Sequence, residues 1–322
     1  MMALLQTVTV PHPSTLDPRG PAAAREAALW WGMLAVATVI FILVLYLLLR
    51  PLFRRPLDGD TTPGEAMPHD VQRRWLVWAG AVMPAAVLFA VFIATLFTLA
   101  AVRMPPRAGD LTIEVIGHRW WWEVRYPGRG VVTADELHIP VGRPVRIRLS
   151  SDDVIHSFWV PQLAGKTDLI PGQSNDSWIQ ASQAGTYYGK CGEYCGRQHA
   201  HMSFAVVAQA PGDFDQWLMR EAAGAPAAGD SGAVVGQKVF RDRGCAFCHA
   251  VRGTPYHGDV GPDLTHVASR RLLAGGSFDN TRGMLAGWIA NPDVMKPGTL
   301  MPAVEMPGDE LQALVDYLQT LK

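Results

Sequence analysis

Apolar and polar positions are distributed very unevenly along this chain. Residues 29–49, LWWGMLAVATVIFILVLYLLL, contain no charged side chain, and a helix rising about 1.5 Å per residue over that length crosses a hydrocarbon layer of roughly 30 Å. Residues 75–102, WLVWAGAVMPAAVLFAVFIATLFTLAAV, are equally free of charge and include Pro84, which a membrane helix tolerates as a kink. The pattern predicts a transmembrane hairpin of two helices. The first run is longer than a signal-peptide core and is followed by RPLFRR instead of a small-residue cleavage site, so it is expected to stay on the chain.

Beyond residue 102 the apolar runs become short and rich in β-branched and aromatic residues. TIEVIGHRWWWEV, ELHIPV, PVRIRLSS, SWIQ, GTYYGKC and SFAVVA are separated by Gly, Pro and Asp, which predicts an antiparallel sandwich or barrel over residues 111–210. DFDQWLMREAA at 213–223 reads as a short helix capped by Asp213. AGAPAAGDSGA at 223–233 has only small side chains and one acid, and reads as a flexible linker. Helical patterns then return in VVGQKVFRDRG, TRGMLAGWIAN and GDELQALVDYLQTL, with Gly/Pro-rich connections between them. The expected division is an external segment 1–28, spans 29–49 and 75–102 joined by a loop 50–74, a β-domain 103–222, the linker 223–233 and a small α-domain 234–322.

Charge orients this arrangement. Arg50, Arg54, Arg55, Arg73 and Arg74 lie between the spans, against Arg19 and Arg25 before them and Arg103 and Arg107 after them. The positive-inside bias puts residues 50–74 in the cytoplasm and both flanks outside. A net charge of −1 over 322 residues gives no sign of a nucleic-acid partner.

The candidate chemistry is concentrated in two short stretches. CGEYCGRQHAHM at 191–202 holds two of the chain's four cysteines, with His199, His201 and Met202 close behind. A Cys191–Cys195 disulfide with exposed histidines is one reading, since the compartment is oxidising. A metal site is the other: thiolate, imidazole and thioether donors suit copper and not a hard cation. DDVIHSFWVPQLAGKTDLIPG at 152–172 offers His156 on a strand end that can pack against that loop.

RGCAFCHAV at 243–251 contains CxxCH, in which Cys245 and Cys248 would form thioethers with haem vinyls and His249 would bind the iron. A zinc half-site or a thioredoxin-like pair competes, but no second cysteine pair follows and no βαβ pattern surrounds it. NPDVMKPGTLMPAVEM supplies Met295, Met301 and Met306 as distal ligands, and His257 or His266 would give bis-histidine ligation instead. Met284 reads as core filler. GHRWWWEV at 117–124 carries three consecutive tryptophans, of which at least one must point away from the core because strand side chains alternate.

A histidine followed later by CxExCxxxHxxM resembles the dinuclear copper (CuA) centre in subunit II of haem–copper cytochrome c oxidases. The resemblance implies a cupredoxin-like Greek-key barrel in which Cys191 and Cys195 bridge two coppers and His156 and His199 bind one each. Met202 and the Glu193 carbonyl are then weak ligands, and the Glu193 side chain holds a magnesium or manganese ion against subunit I. His201 is left as an exposed strand residue. By the family's GHxW motif, Trp120 is where electrons enter the copper site. The KPGxxMP pattern of class I cytochrome c domains selects Met301 as the distal haem ligand.

Hairpin, copper domain and C-terminal cytochrome c domain occur in the order found in oxidase subunits II with a fused haem c. By that resemblance the chain takes electrons from a soluble cytochrome c or similar donor and passes them from haem to copper to subunit I. There oxygen is reduced to water and protons are pumped. The expected partners are subunits I and III and membrane lipid, with the chain a multi-pass protein of the bacterial inner membrane and its metal domains on the periplasmic side. Where relatives carry an acidic residue at the start of the second span, this chain reads QRRWLVW, with Glu65 and Asp70 further out. A copper-containing nitric oxide reductase would use the same donors. A membrane-tethered copper carrier would need an exposed, exchangeable site, which a set of five ligands beside Trp120 argues against.

Overall fold

Charge-free runs with no polar stripe become helices with apolar side chains all round. In the computed structural model, which describes residues 13–53, 68–103, 111–227, 229 and 231–322, two helical stretches, Pro21–Phe53 and His69–Val102, are long and apolar enough to cross a membrane by length and composition. The first opens with α1 (Pro21–Leu49), earlier than the apolar run alone predicts, because AAAREAA is itself strongly helix-forming. The second consists of α2 (His69–Val77), a π turn (Trp78–Val82) and α3 (Met83–Val102). Pro84 lacks an N–H and its ring crowds the preceding turn, and the wider turn just before it accommodates both. The two helices share a bond from the Arg25 guanidinium to the Ala101 carbonyl, 2.8 Å. Asp70 pairs with Arg74 in the first turns of α2. Arg54, Arg55, Arg107 and Glu65 lie outside the described residues.

These helices form one compact unit, and residues 13–23 with the chain from 111 onward form another. The second unit begins with ten strands: β1 (Thr112–His118), β2 (Trp121–Tyr126), β3 (Val131–Ala134), β4 (Glu136–Pro140), β5 (Val145–Ser151), β6 (His156–Trp159), β7 (Thr167–Leu169), β8 (Asn175–Ile179), β9 (Gly185–Cys191) and β10 (Ser203–Gln209). They make two five-stranded sheets ordered β3-β2-β1-β5-β8 and β4-β10-β9-β6-β7. Pairing is mixed and not wholly antiparallel as the sequence suggests: β1 runs parallel to β5 and β4 parallel to β10. The long connections between those strands permit what a hairpin cannot.

Alternation sorts the tryptophans. Trp122 is fully buried, with its ring 5.2 Å from Phe204 and 6.2 Å from Phe158. Trp121 faces the other side and stacks on His118 at 4.3 Å. Trp120 precedes the strand and is half-buried.

Helix α4 (Pro211–Ala222) follows, opened by Pro211 with Ala210 at its N-cap. Asp213 is therefore not the cap. It sits inside the first turn, where a carboxylate still favours the helix dipole.

The remaining elements are α5 (Ser231–Asp242), α6 (Cys245–Cys248), two short hairpins β11 (Ala250–Val251) with β12 (Tyr256–His257) and β13 (Leu272–Leu273) with β14 (Phe278–Asp279), then α7 (Arg282–Ala290), α8 (Pro292–Met295) and α9 (Gly308–Thr320). The Thr281 side chain caps α7 by accepting from the Met284 N–H, 3.3 Å. Phe240, Val251, Leu285, Leu314, Val315 and Tyr317 make the core of this part. Helix α5 starts inside the segment that sequence reads as linker. Ala225, earlier in that segment, donates to the Arg252 carbonyl at 2.8 Å.

Candidate metal centres

Strand pairing brings the separated donors together. In the β6–β9 ladder Phe158 faces Cys191, so His156, two residues back on the same face, overhangs the start of the 191–202 loop. That loop is closed on itself by the Cys191 N–H donating to the Met202 carbonyl, 2.9 Å, and held to β6 by Gly192 donating to the Ser157 carbonyl, 2.8 Å. His156 and Met202 are wholly buried, and Cys191 and Cys195 nearly so.

Both cysteines are free, and their sulfurs are 3.8 Å apart. That is far beyond a disulfide bond of about 2.05 Å, yet close enough for one ion at about 2.3 Å from each sulfur to bridge them. The other donors divide between the two sulfurs. His156 Nδ1 is 3.8 Å from Cys191 Sγ, and the Glu193 carbonyl oxygen is 3.1 Å from the same atom. His199 Nδ1 is 3.7 Å and Met202 Sδ 3.8 Å from Cys195 Sγ. The donor atoms of His156, Cys191 and Cys195 all lie within 4.8 Å of one another. His201 is exposed, on a 3-10 turn (His199–His201) and not on a strand, because the chain must bend there to present His199 and Met202 inward.

The sulfur pair is electrostatically poised for a cation. The neighbouring Cys195 thiol, with His156 and backbone contacts, pushes Cys191 down to about 3, while the Cys191 charge and burial push Cys195 up. Thiolate is the ligand form of cysteine, so a metal bound at this pair would release protons. Burial lowers His156, but its bonds to Asp153 and Cys191 outweigh that and raise it.

Asp153 went unrecognised in the sequence. Its carboxylate is 2.9 Å from His156 Nε2, which orients the ring so that Nδ1 faces the sulfur, and it also accepts from the Arg119 N–H, 2.7 Å. The signal was the D-x-x-H spacing in DDVIH. Trp120 donates from its indole Nε1 to the Cys195 carbonyl, 2.9 Å, which bonds the ring directly to the backbone of a candidate ligand. The Glu193 carboxylate, expected to hold magnesium, is ion-paired with Lys166 at 3.1 Å within this chain.

In the second region CxxCH forms the single turn α6, led in by Gly244 in the left-handed conformation. His249 Nδ1 donates to the Pro262 carbonyl, 2.8 Å, which leaves Nε2 as the ligand atom. Burial lowers the His249 pKa and keeps the ring neutral, as metal binding requires. A side-chain carbon at Gly261 would come within 2.6 Å of His249 Cε1, so only glycine leaves room for the ring in this orientation.

The other candidate distal ligands lie elsewhere. Met306 packs on the core cluster, as Met284 does, and Met295 Sδ lies against Gly287 in α7. His257 is exposed on β12, and buried His266 has Nε2 3.0 Å from the Ala223 carbonyl. Met301 is half-buried in the irregular stretch between α8 and α9.

Comparison with known proteins agrees with both regions. Residues 129–209 match the family described as the periplasmic domain of cytochrome c oxidase subunit II, and residues 233–322 match cytochrome c. Cytochrome c oxidase subunit 2 of Alkalihalophilus pseudofirmus is 33% identical over 318 residues, covering 96% of this chain and 91% of the relative. The protein of the same name from Bacillus subtilis is 30% identical, covering 99% and 94%. Among solved structures, the periplasmic domain of subunit II of cytochrome oxidase from Bradyrhizobium japonicum is 33% identical, with a TM-score of 0.35 over 37% of this chain and 96% of that one. A relative of one third identity aligned over almost the whole length, together with the two domain matches, leaves one conclusion: the chain belongs to the cytochrome c oxidase subunit II family, in a form with a cytochrome c domain at its C-terminus.

Proposed function

We propose that this chain is the electron-delivering subunit of an aerobic terminal oxidase, with haem c held by Cys245, Cys248, His249 and Met301 and a dinuclear copper centre held by Cys191, Cys195, His156 and His199. Met202 and the Glu193 carbonyl complete the copper set as weak ligands. The observation that carries this reading is the pair of free sulfurs 3.8 Å apart, each with its own imidazole. Two sulfurs close enough to be shared, an imidazole beside each and the Met202 thioether and Glu193 carbonyl as further donors make up six donors, more than one tetrahedral ion takes.

When bound, the two groups supply one-electron exchange without bond making. The chain's part is to exclude water, fix the imidazoles and keep reorganisation small. Burial of Cys191, Cys195, Met202 and His156 serves the first. Asp153 on His156 and the Pro262 carbonyl on His249 serve the second. Trp120 is where electrons reach the copper domain, through its bond to the Cys195 carbonyl. Onward transfer is to subunit I, where oxygen is reduced and protons are pumped. In this reading residues 50–74 face the cytoplasm of a bacterium, and both metal domains face the periplasm.

The test is an electron-paramagnetic-resonance spectrum of the oxidised full chain. One unpaired electron split over two equivalent copper nuclei is expected, and an isolated single-copper signal or a Cys191–Cys195 disulfide in loaded protein would overturn the reading. Oxygen turnover against nitric oxide turnover by the purified complex separates the oxidase from a reductase.

Two substitutions probe the supporting groups. Asp153→Asn should weaken copper retention roughly 10- to 100-fold, as loss of an outer-shell carboxylate does, measured by competition with a chelator while haem content stays constant. Gly261→Ala should leave haem covalently attached but displace the His249 ring, so that the haem absorption spectrum changes to that of an iron lacking its histidine. An unaltered spectrum would mean the 258–262 segment yields easily.

A further inference from the structure

The cytochrome domain meets the copper domain along a seam that buries a lysine from one side and an aspartate from the other. Lys296, in the segment leading to Met301, is 3% exposed, and Asp135, between β3 and β4, is 6% exposed. Their hydrogen bonds are reciprocal. Asp135 accepts from the Trp122 N–H of its own domain at 2.8 Å and, through its other oxygen, from the Gly275 N–H of the cytochrome domain at 3.1 Å. Lys296 Nζ donates to the Ala274 carbonyl of its own domain at 2.8 Å and to the Trp120 carbonyl of the copper domain at 3.2 Å. Each side chain therefore grips the same two turns, 120–122 and 274–275.

The surroundings fit a tight and specific joint. Gly275 has a φ of 68°, and a side-chain carbon there would lie 2.4 Å from the Trp120 carbonyl oxygen and 2.7 Å from Lys296 Nζ. Ser203 donates to the Gly275 carbonyl at 2.8 Å, the Ser277 hydroxyl to the His201 carbonyl at 3.0 Å, and the Gln198 amide to the Pro297 carbonyl. The cytochrome domain thus touches the chain on both sides of the His199–Met202 turn. Burial pushes Lys296 down to about 8 and Asp135 up to about 6, while their mutual attraction opposes both shifts. Buried opposite charges add little net stability over apolar residues, and their best-attested use is to fix register.

We propose that Lys296 and Asp135 are positioning residues for electron transfer from haem to copper, holding the Met301 segment on the face that carries Trp120, so that the chain's own cytochrome occupies the surface through which copper is reduced. This rests on the function proposed above. With haem c held by Cys245, Cys248, His249 and Met301 and copper by the 191–202 loop, the exchange would be of one electron from iron to the copper pair, with no bond formed and no proton moved. Transfer between docked domains does not wait for them to meet.

The experiment uses the purified complex with Lys296→Met and Asp135→Asn. Haem content, copper content and haem potential should match the parent, while the haem-to-copper rate falls roughly tenfold or more, as small misplacements of reacting groups do, and becomes sensitive to viscosity. An unchanged, viscosity-independent rate in the folded variants overturns the proposal. A second readout needs no variant: acetylation of the intact complex, read by mass spectrometry, should modify exposed Lys238 and spare Lys296. Equal modification of both overturns the proposal even where the variants fail to fold. Absence of copper, or of haem-to-copper transfer in the parent, would instead sink the proposed function and leave the lysine protection standing.

Discussion

Cys195→Ser will abolish the shared-electron copper signal and reduce electron delivery to subunit I to the level of copper-free protein, while the haem is still reduced by donor. Cys195 is buried and has Cys191, His199 and Met202 as sulfur or imidazole neighbours within 3.8 Å. A serine hydroxyl is a hard donor that stays protonated, so it neither bridges two soft ions nor holds them. The Trp120 indole bonds to the backbone carbonyl at 195 and survives the change, which makes the loss specific to the sulfur. Copper content, the paramagnetic spectrum and stopped-flow reduction of haem and copper check this together. A variant that retained the shared signal would show that Cys195 is no bridge.

Met301→Leu should leave haem attached through Cys245 and Cys248 yet lower its reduction potential, because a thioether stabilises the reduced iron. Axial ligands span a range of about 0.8 V in haem proteins, and a fall on the order of 0.1 V or more is expected here. Transfer from haem to copper then gains driving force while reduction of the haem by its donor loses it, so haem reduction becomes the slower step. Met306→Leu is the control, since that side chain packs on the core with Met284 and its loss should affect stability and not potential. A large fall in the Met306 variant with none in the Met301 variant would exchange their roles. Potentiometric titration of each variant decides between them.

Much of the site was legible because its donors are local. Cys191, Cys195, His199 and Met202 share one loop, and Cys245, Cys248 and His249 share one turn, so residue type and spacing are enough. His156 was reached from its place at a strand end. Strand alternation required that at least one tryptophan leave the core, and in the structure Trp122 is core, Trp121 stacks on His118 and Trp120 stays half-buried. Features that depend on distant partners were invisible. Asp153 reads as one more loop acid until the fold turns it onto His156. Lys296 lies in a Pro/Gly-rich stretch and reads as solvated, and nothing local announces that it will be buried against residues 120 and 274. The parallel pairings β1–β5 and β4–β10 were missed because register between strands far apart in sequence leaves no short-range trace. Asp213 reads as a cap because aspartate favours that position, whereas Pro211 already opens the helix two residues earlier.

The order of the second sheet carries a consequence for biogenesis. Strand β10 is the last of the ten in the chain but lies between β4 and β9, so this sheet cannot grow strand by strand as synthesis proceeds. Its closing step joins residues 205–209 to residues 136–140, a contact of high sequence separation that forms slowly. Until it forms, the loop carrying Cys191 and Cys195 has no fixed far end. On the periplasmic placement proposed above, a newly exported chain would pass through a period in which both thiols are unprotected in an oxidising compartment, and a premature disulfide there would compete with metal. Maturation of this copper domain is expected to depend on thiol reductant supplied before β10 docks.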